Sequence, residues 1–304
     1  MKVLELFGGI GACSKALERL GIDYEIVDYV EIDKYAVASF NAMHGTNFEP
    51  QDITKWDKDI EADLIMHGSP CQDFSVAGKQ AGGDEGSGTR SSLMYETLRI
   101  VAKLKPKYVI WENVKNLLSQ RHRHNFDAYL EAMERLGYAD YYQVLNAKDY
   151  GVPQNRERVF TVSILGGGEF KFPEPIPLEK RLKDVLEDNV DEKYYLSDAQ
   201  VASFKADSDN QIAKGRGFKF EPLSIEKKIA HTISTRAGQR KTDNFIRVAG
   251  RLDIKGHDQI KRVYGVGGGI TNPINNGWRQ PRTEDCRAIC SSLTWKGGRI
   301  TCNT

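Results

Sequence analysis

The sequence predicts an α/β fold, a doubly wound and mostly parallel sheet joined to a smaller, irregular second domain. Three observations carry this expectation. Short apolar runs alternate with amphipathic helical stretches over residues 1–165, the first run opens into a glycine-rich turn, and after Leu165 the pattern gives way to Gly- and Pro-rich chain.

Taken in order, residues 2–7 (KVLELF) form a short apolar strand, GGIGA makes the turn, and CSKALERLG has helical spacing with a stop at Gly21. Further strands are expected in YEIVDYVEI, ADLIMHGSP, KYVIWENV and RVFTVSIL, with SSLMYETLRIVAKL and NFDAYLEAMERLG as amphipathic helices between them. Alternation of this kind gives parallel strands with helices packed on both faces. The stretch GGGEFKFPEPIPLEK reads as a boundary, and from about residue 180 to 285 the chain holds short polar segments, many glycines, scattered basic groups and no internal repeat. The expected division is 1–165, 166–285 and a tail, 286–304.

A chain of 304 residues with 40% hydrophobic composition can bury a sizeable core. No apolar run approaches the ~20 residues of a membrane span, and Met1 leads straight into a strand pattern, so a cytoplasmic protein is expected. Cys13, Cys71, Cys286, Cys290 and Cys302 are scattered and form no CxxC pair, which disfavours a disulfide framework and a zinc site. The net charge is only +1, but residues 201–290 carry 17 Lys/Arg against 9 Asp/Glu, leaving that stretch at +8 and the remainder at −7. A basic module on a mildly acidic body suits DNA, although a solvated basic face would have the same composition.

Glycines in Phe7-Gly8-Gly9-Ile10-Gly11 let the backbone approach a ligand where a strand turns into a helix, and Glu31 lies about 20 positions on, where a carboxylate can accept from ribose hydroxyls. The full GxGxxG fingerprint is missing, which disfavours a nicotinamide-dependent dehydrogenase. In Gly68-Ser69-Pro70-Cys71-Gln72, a cysteine follows a proline at the end of an apolar strand, a placement that projects a nucleophile into the ligand cleft. A buried inert thiol is the competing reading. Glu112 ends the run KYVIW and should share that sheet edge; partial desolvation there would raise its pKa and let it hold a proton for a ring nitrogen, unless it merely begins the helix VKNLL. Arg156 and Arg158, two apart in QNRERVF, could form a charged fork toward a base or phosphate.

In this order, FGGIGA, GSPCQDFS, ENV and QNRERVF resemble the cytosine-C5 DNA methyltransferase family of bacteria and phages over about residues 1–165. The resemblance implies the fold of S-adenosylmethionine-dependent methyltransferases, with residues 166–285 as target-recognition domain. It gives Phe7, Gly9, Ile10, Gly11, Ile32 and Pro70 to the cofactor S-adenosylmethionine, Glu31 to its ribose, and Asp52 and Ile53 to its adenine. Catalysis would fall to Cys71, Glu112, Arg158 and Arg156, acting on a cytosine flipped from double-stranded DNA, with residues 78–92 as a closing loop. No metal and a monomer are implied, in a restriction-modification or phage setting. The family's closing Gly-Asn-Ser/Ala-Val block is not found in the stretch from Val263 onward, so weak cofactor binding and slow turnover are expected. The alternatives are a DNA-binding remnant without activity and an RNA cytosine-C5 methyltransferase.

Overall fold

The structure, a computed structural model, describes residues 1–70, 90–187, 190–215, 219–233, 243–247, 250–251 and 262–263. The chain divides into two compact units, Met1–Leu145 with Glu157–Glu174, and Asn146–Arg156 with Pro175–Thr304.

The first unit runs β1 (Lys2–Leu6), α1 (Ala12–Arg19), β2 (Glu25–Val30), α2 (Lys34–His44), β3 (Leu64–His67), α3 (Met94–Leu104), β4 (Tyr108–Val114), α4 (Arg123–Arg135) and β5 (Tyr138–Asn146). After β6 (Gln154–Asn155), whose pairing lies in the second unit, the chain returns as β7 (Glu157–Leu165). One six-stranded sheet results, in the order β2-β1-β3-β4-β7-β5. The pairs β1–β2, β1–β3 and β3–β4 are parallel and β4–β7 is antiparallel, so the sheet is mixed but mostly parallel.

Strand alternation divides the core between the two faces. Leu4, Leu6, Ile65, Val109 and Trp111 pack with Met94, Leu98 and Val101 of α3 and Phe126, Tyr129 and Met133 of α4. The intervening residues Val3, Leu64 and Met66 pack with Leu17 of α1, while Tyr29 gathers Val37 and Phe40 of α2. The expected strands and the helices α1, α3 and α4 are all present, with the first turn before α3, Arg90–Leu93, wound as a 3-10 helix.

Three of the longer elements were not expected. Helix α2 starts at Asp33, whose side chain accepts from the Tyr35 N–H, and stops at Gly45 in the left-handed conformation. Strand β5 is only partly buried along most of its length, so it shows little period-two signal. In the second unit, α5 (Asp198–Ala213) is a regular element within the stretch expected to hold short, irregular, polar segments. Only Val201 and Ser208 of this helix are buried, which erases the apolar stripe, but Ser197 and Gln200 form a capping box. The second unit also contains β8 (Ala230–His231), paired parallel with β6, and the short antiparallel pair β9 (Gly250–Arg251) and β10 (Arg262–Val263). Among the described residues, no helix is long and apolar enough to cross a membrane.

Candidate active site

Register gathers the candidate residues. Val30, Leu6, His67 and Trp111 stand opposite one another across β2, β1, β3 and β4, so Glu31, the turn from Phe7 to Gly11, the segment Gly68–Pro70 and Glu112 all emerge at one edge of the sheet. This is the carboxyl-terminal edge of the parallel strands, where doubly wound folds bind ligands.

The first turn is held rigidly. Phe7 has φ 53°, unusual for a side-chain-bearing residue, and its N–H still donates to Val30 O at 2.8 Å. The Gly9 N–H donates to Glu31 Oε2 at 3.1 Å, while the Tyr29 hydroxyl donates to the Gly9 carbonyl at 2.5 Å. Gly11 has φ 85° and a Cβ there would lie 2.3 Å from His44 Nε2, so only glycine fits. By contrast a Cβ on Gly9, φ 56°, would meet nothing within 4 Å among the described residues, so these leave the turn open on that side.

Glu31 Oε1 also accepts the Asp33 N–H at 2.9 Å, and each oxygen keeps a further lone pair for a hydroxyl. Ile32 beside it is 68% exposed, an apolar surface at the rim. Ile10 is partly buried in the turn. Asp52 caps a single 3-10 turn, Ile53–Lys55, by accepting from Thr54 N, and its carboxyl is held low by the Thr54 hydroxyl and N–H. Ile53 is buried. The Gln51 N–H donates to Glu31 O at 2.8 Å and joins this segment to the end of β2. A paired carboxylate, an open glycine peptide and an adjacent apolar side chain fit a nucleoside bearing an amino-acid chain.

At the next strand end, Ser69 is buried, with its hydroxyl receiving Trp111 Nε1 at 3.0 Å and its carbonyl receiving Asn113 Nδ2 at 3.3 Å. Pro70 is partly buried. Cys71 lies outside the described residues, as do Gln72 and the expected closing loop up to residue 89.

Glu112 is not at a helix start but inside β4, opposite Phe160 of β7, and Arg158 stands opposite Val114. Their side chains meet, Arg158 Nε to Glu112 Oε1 at 3.0 Å, with 18% and 32% of their surfaces exposed. The apolar setting expected for this carboxylate is therefore shared with a guanidinium. A Cβ at Gly68 would come 3.8 Å from Glu112 Oε2, which places the carboxylate beside the segment leading to Cys71. Arg156 falls in the second unit, where its N–H donates to Asn146 Oδ1 at 3.0 Å and its carbonyl accepts from Ala147 N. The fork expected of Arg156 and Arg158 is thus divided between two units.

Three titratable groups lie beneath this edge, Glu5 and His67 buried and Cys13 partly buried. Burial pushes the Glu5 carboxyl up to about 7, against the Ser14 hydroxyl and the Ser14 and Cys13 amides, which favour its charge. Oε2 accepts from Ser14 Oγ, while Oε1 is buried without a hydrogen-bond partner among the described residues. Burial, with the charges of Glu5 and Glu112, pushes the Cys13 thiol up to about 12 and keeps it protonated. His67 stacks on Trp111, sits 3.1 Å from the Tyr129 hydroxyl, and is pushed down to about 3 by burial, so it is neutral at pH 7.

Several supporting side chains were not singled out from the sequence: Asp28, Gln51, Ser69, Arg99 and Trp111. Each works through partners distant in the chain, which no local spacing reveals. Of the expected residues in the first unit, the structure brings Phe7, Gly9, Ile10, Gly11, Glu31, Ile32, Asp52, Ile53, Pro70, Glu112 and Arg158 to one sheet edge.

A family profile described as C-5 cytosine-specific DNA methylase matches residues 1–285. The type II methyltransferase M2.ScrFI of Lactococcus lactis subsp. cremoris is 36% identical over 258 residues, covering 66% of this chain and 72% of that protein. The orphan methyltransferase M.Rho11sI of Bacillus phage rho11s is 31% identical over 350 aligned positions, covering 93% and 69%. Among solved structures, a DNMT2 variant of Spodoptera frugiperda superimposes with TM-score 0.62 at 21% identity, over 81% of this chain and 74% of the other, a likeness of fold.

Proposed function

The chain belongs to the C-5 cytosine-specific DNA methylase family, and from that premise we propose that it transfers a methyl group from S-adenosylmethionine to carbon 5 of a cytosine flipped out of duplex DNA, through a covalent bond to Cys71. The observation that carries the reading is the Glu112–Arg158 pair at 3.0 Å, beside the segment that leads to Cys71 and on the same sheet edge as the glycine turn.

Carbon 5 of cytosine is a poor nucleophile. A Cys71 thiolate adding to carbon 6 turns the ring into an enamine, in which carbon 5 becomes nucleophilic. Glu112 would hold a proton at ring N3 as negative charge develops, and Arg158 would steady Glu112 and lie nearest the ring carbonyl. Arg156 would face the base or a phosphate. Bound S-adenosylmethionine would supply a methyl group made electrophilic by its sulfonium. Loss of the carbon-5 proton and breaking of the Cys71–carbon 6 bond would then restore the aromatic ring and free the thiolate.

On the cofactor side, Phe7, Gly9, Ile10 and Gly11 would form the floor of the methionine site, Glu31 would accept from ribose hydroxyls, and Asp52, Ile53, Ile32 and Pro70 would border the rest. The open side of Gly9 and the spare lone pairs of Glu31 support this assignment. Flipping the base costs a few kcal/mol, offset by stacking and hydrogen bonds in the pocket. Residues 166–285 would read the DNA sequence, and the enzyme would be a cytoplasmic monomer.

Labelled S-adenosylmethionine and mixed-sequence duplex DNA test the reading directly, followed by mapping of the modified base. A duplex carrying 5-fluorocytosine should trap the wild-type protein covalently, because fluorine blocks the elimination that frees the enzyme. Cys71→Ser should abolish both transfer and trapping while cofactor binding remains. An adduct with the serine variant would show that another residue attacks the base.

A further inference from the structure

Building on the cofactor pocket proposed above, we propose that Arg99 and Asp28 are positioning residues that clamp the turn Asp52–Trp56 from two sides and thereby set the affinity of the nucleoside half of the pocket. That turn has two backbone bonds of its own, Lys55 N to Asp52 O at 3.0 Å and Trp56 N to Ile53 O at 3.2 Å, and a cap at its start, where the Thr54 N–H and hydroxyl donate to Asp52 Oδ1 at 3.0 and 2.8 Å. A single turn of 3-10 helix has poor hydrogen-bond geometry and does not hold its shape unaided.

Arg99 of α3 braces one side. Its Nη2 donates to Ile53 O at 3.1 Å and to Trp56 O at 2.8 Å, so one guanidinium nitrogen spans both ends of the turn. Its Nε is paired with Glu96 at 2.8 Å, which fixes the plane of the fork. Asp28 of β2 braces the other side from a position 3% exposed. It accepts Trp56 Nε1 at 2.7 Å and Gln51 Nε2 at 2.9 Å, and pairs with Lys58 Nζ at 2.8 Å.

Gln51 closes the frame. Its Nε2 also donates to Tyr29 O at 2.7 Å, and its N–H to Glu31 O at 2.8 Å. The residue proposed to hold the ribose and the two proposed to meet the adenine therefore share one scaffold, with corners on β2 and α3. Arg99 Nη2 and Asp28 Oδ2 bond the turn itself, and the remaining partners, Glu96, Gln51 and Lys58, hold the two side chains in place, which is why their role is to position.

The test uses the full chain with Arg99→Met, Arg99→Lys and Asp28→Asn. Met keeps the apolar stem of Arg99 and removes both donors. In Arg99→Met, amide hydrogen exchange without ligand should speed up at Thr54, Lys55 and Trp56 while the strands keep their protection. Titration calorimetry should show S-adenosylmethionine binding about tenfold more weakly, ~1.4 kcal/mol. The KM for the cofactor should rise in parallel, with kcat at saturation and the KM for DNA unchanged, and Arg99→Lys should recover part of the loss. Asp28→Asn should act in the same direction.

Unchanged exchange in the turn would overturn the clamp. Faster exchange with unchanged cofactor affinity would overturn its link to the pocket, and so would a fall in kcat with no change in cofactor KM. If the wild-type chain bound no S-adenosylmethionine, the proposed activity would fail at that control, while the exchange data would still judge the clamp.

Discussion

Replacing Glu5 by Gln isolates the energetic cost of the carboxylate buried under the glycine turn. Glu5 is 1% exposed, and burial moves its carboxyl from the usual 4.5 up to about 7. At ~1.4 kcal/mol per tenfold change in proton affinity, that corresponds to about 3 kcal/mol. The folded state prefers the protonated form, so the penalty is absent below pH 4.5, grows as the pH rises, and is complete above about 7. Gln can still accept from the Ser14 hydroxyl, but its amide protons gain no evident partner, a cost of ~1–3 kcal/mol that does not depend on pH. The quantity to read is thus the difference between the two proteins. Urea unfolding at several pH values between 4.5 and 8 should show the variant gaining about 3 kcal/mol relative to wild type across that range. The Asp140 carboxyl, also pushed up by burial, to about 6, contributes equally to both proteins and cancels. Parallel stability curves would refute the reasoning, because they would mean that Glu5 ionises as easily folded as unfolded.

Gly11→Ala should cost ~2–5 kcal/mol, from the left-handed backbone and from contact of its Cβ with His44 and the Phe40 ring at 2.3 and 2.7 Å, as measured by urea unfolding. Gly9→Ala should cost only the backbone share, ~1–2 kcal/mol, yet weaken cofactor binding in calorimetry, because its methyl would project into the proposed site. Glu112→Gln should slow single-turnover methyl transfer by about 100-fold with a smaller loss of DNA affinity; equal losses would assign Glu112 a binding role. His67, depressed to about 3 by burial, is neutral in both states above pH 6.5; below it only the unfolded state takes up the proton, so a penalty on folding grows as the pH falls and is complete near 3. His67→Phe should therefore flatten the acid limb of the stability curve, followed by tryptophan fluorescence.

Runs of apolar residues were enough to find β1 to β4 and β7, because strands covered on both faces are apolar nearly throughout. Strand β5 escaped because its outer position leaves Tyr142 and its neighbours partly exposed, and α5 because it buries almost nothing. Phe7 to Gly11, Glu31 and Glu112 were legible, since a turn or an acid at the end of an apolar run is a local signal. The Glu112–Arg158 pair was not: it depends on β7 running antiparallel to β4 with Arg158 opposite Val114, a register that neither segment encodes alone. The same holds for Asp28 and Arg99, which meet one turn from a strand and a helix.

The pairing of β6 with β8 bears on how such proteins could exchange their modules. The second unit is assembled from two separated pieces of chain, and Asn146–Arg156 is as much a part of it as the later residues. Ala230 N donates to Pro153 O at 2.8 Å, and the Thr232 hydroxyl donates to Asn155 O at 2.6 Å. A graft that replaced only residues from 175 onward would ask a foreign strand to pair with the old Gln154 and Asn155. A transplant should carry both pieces from one donor, so that this short ladder is inherited whole, and a chimaera joined at a single point would begin with mismatched partners.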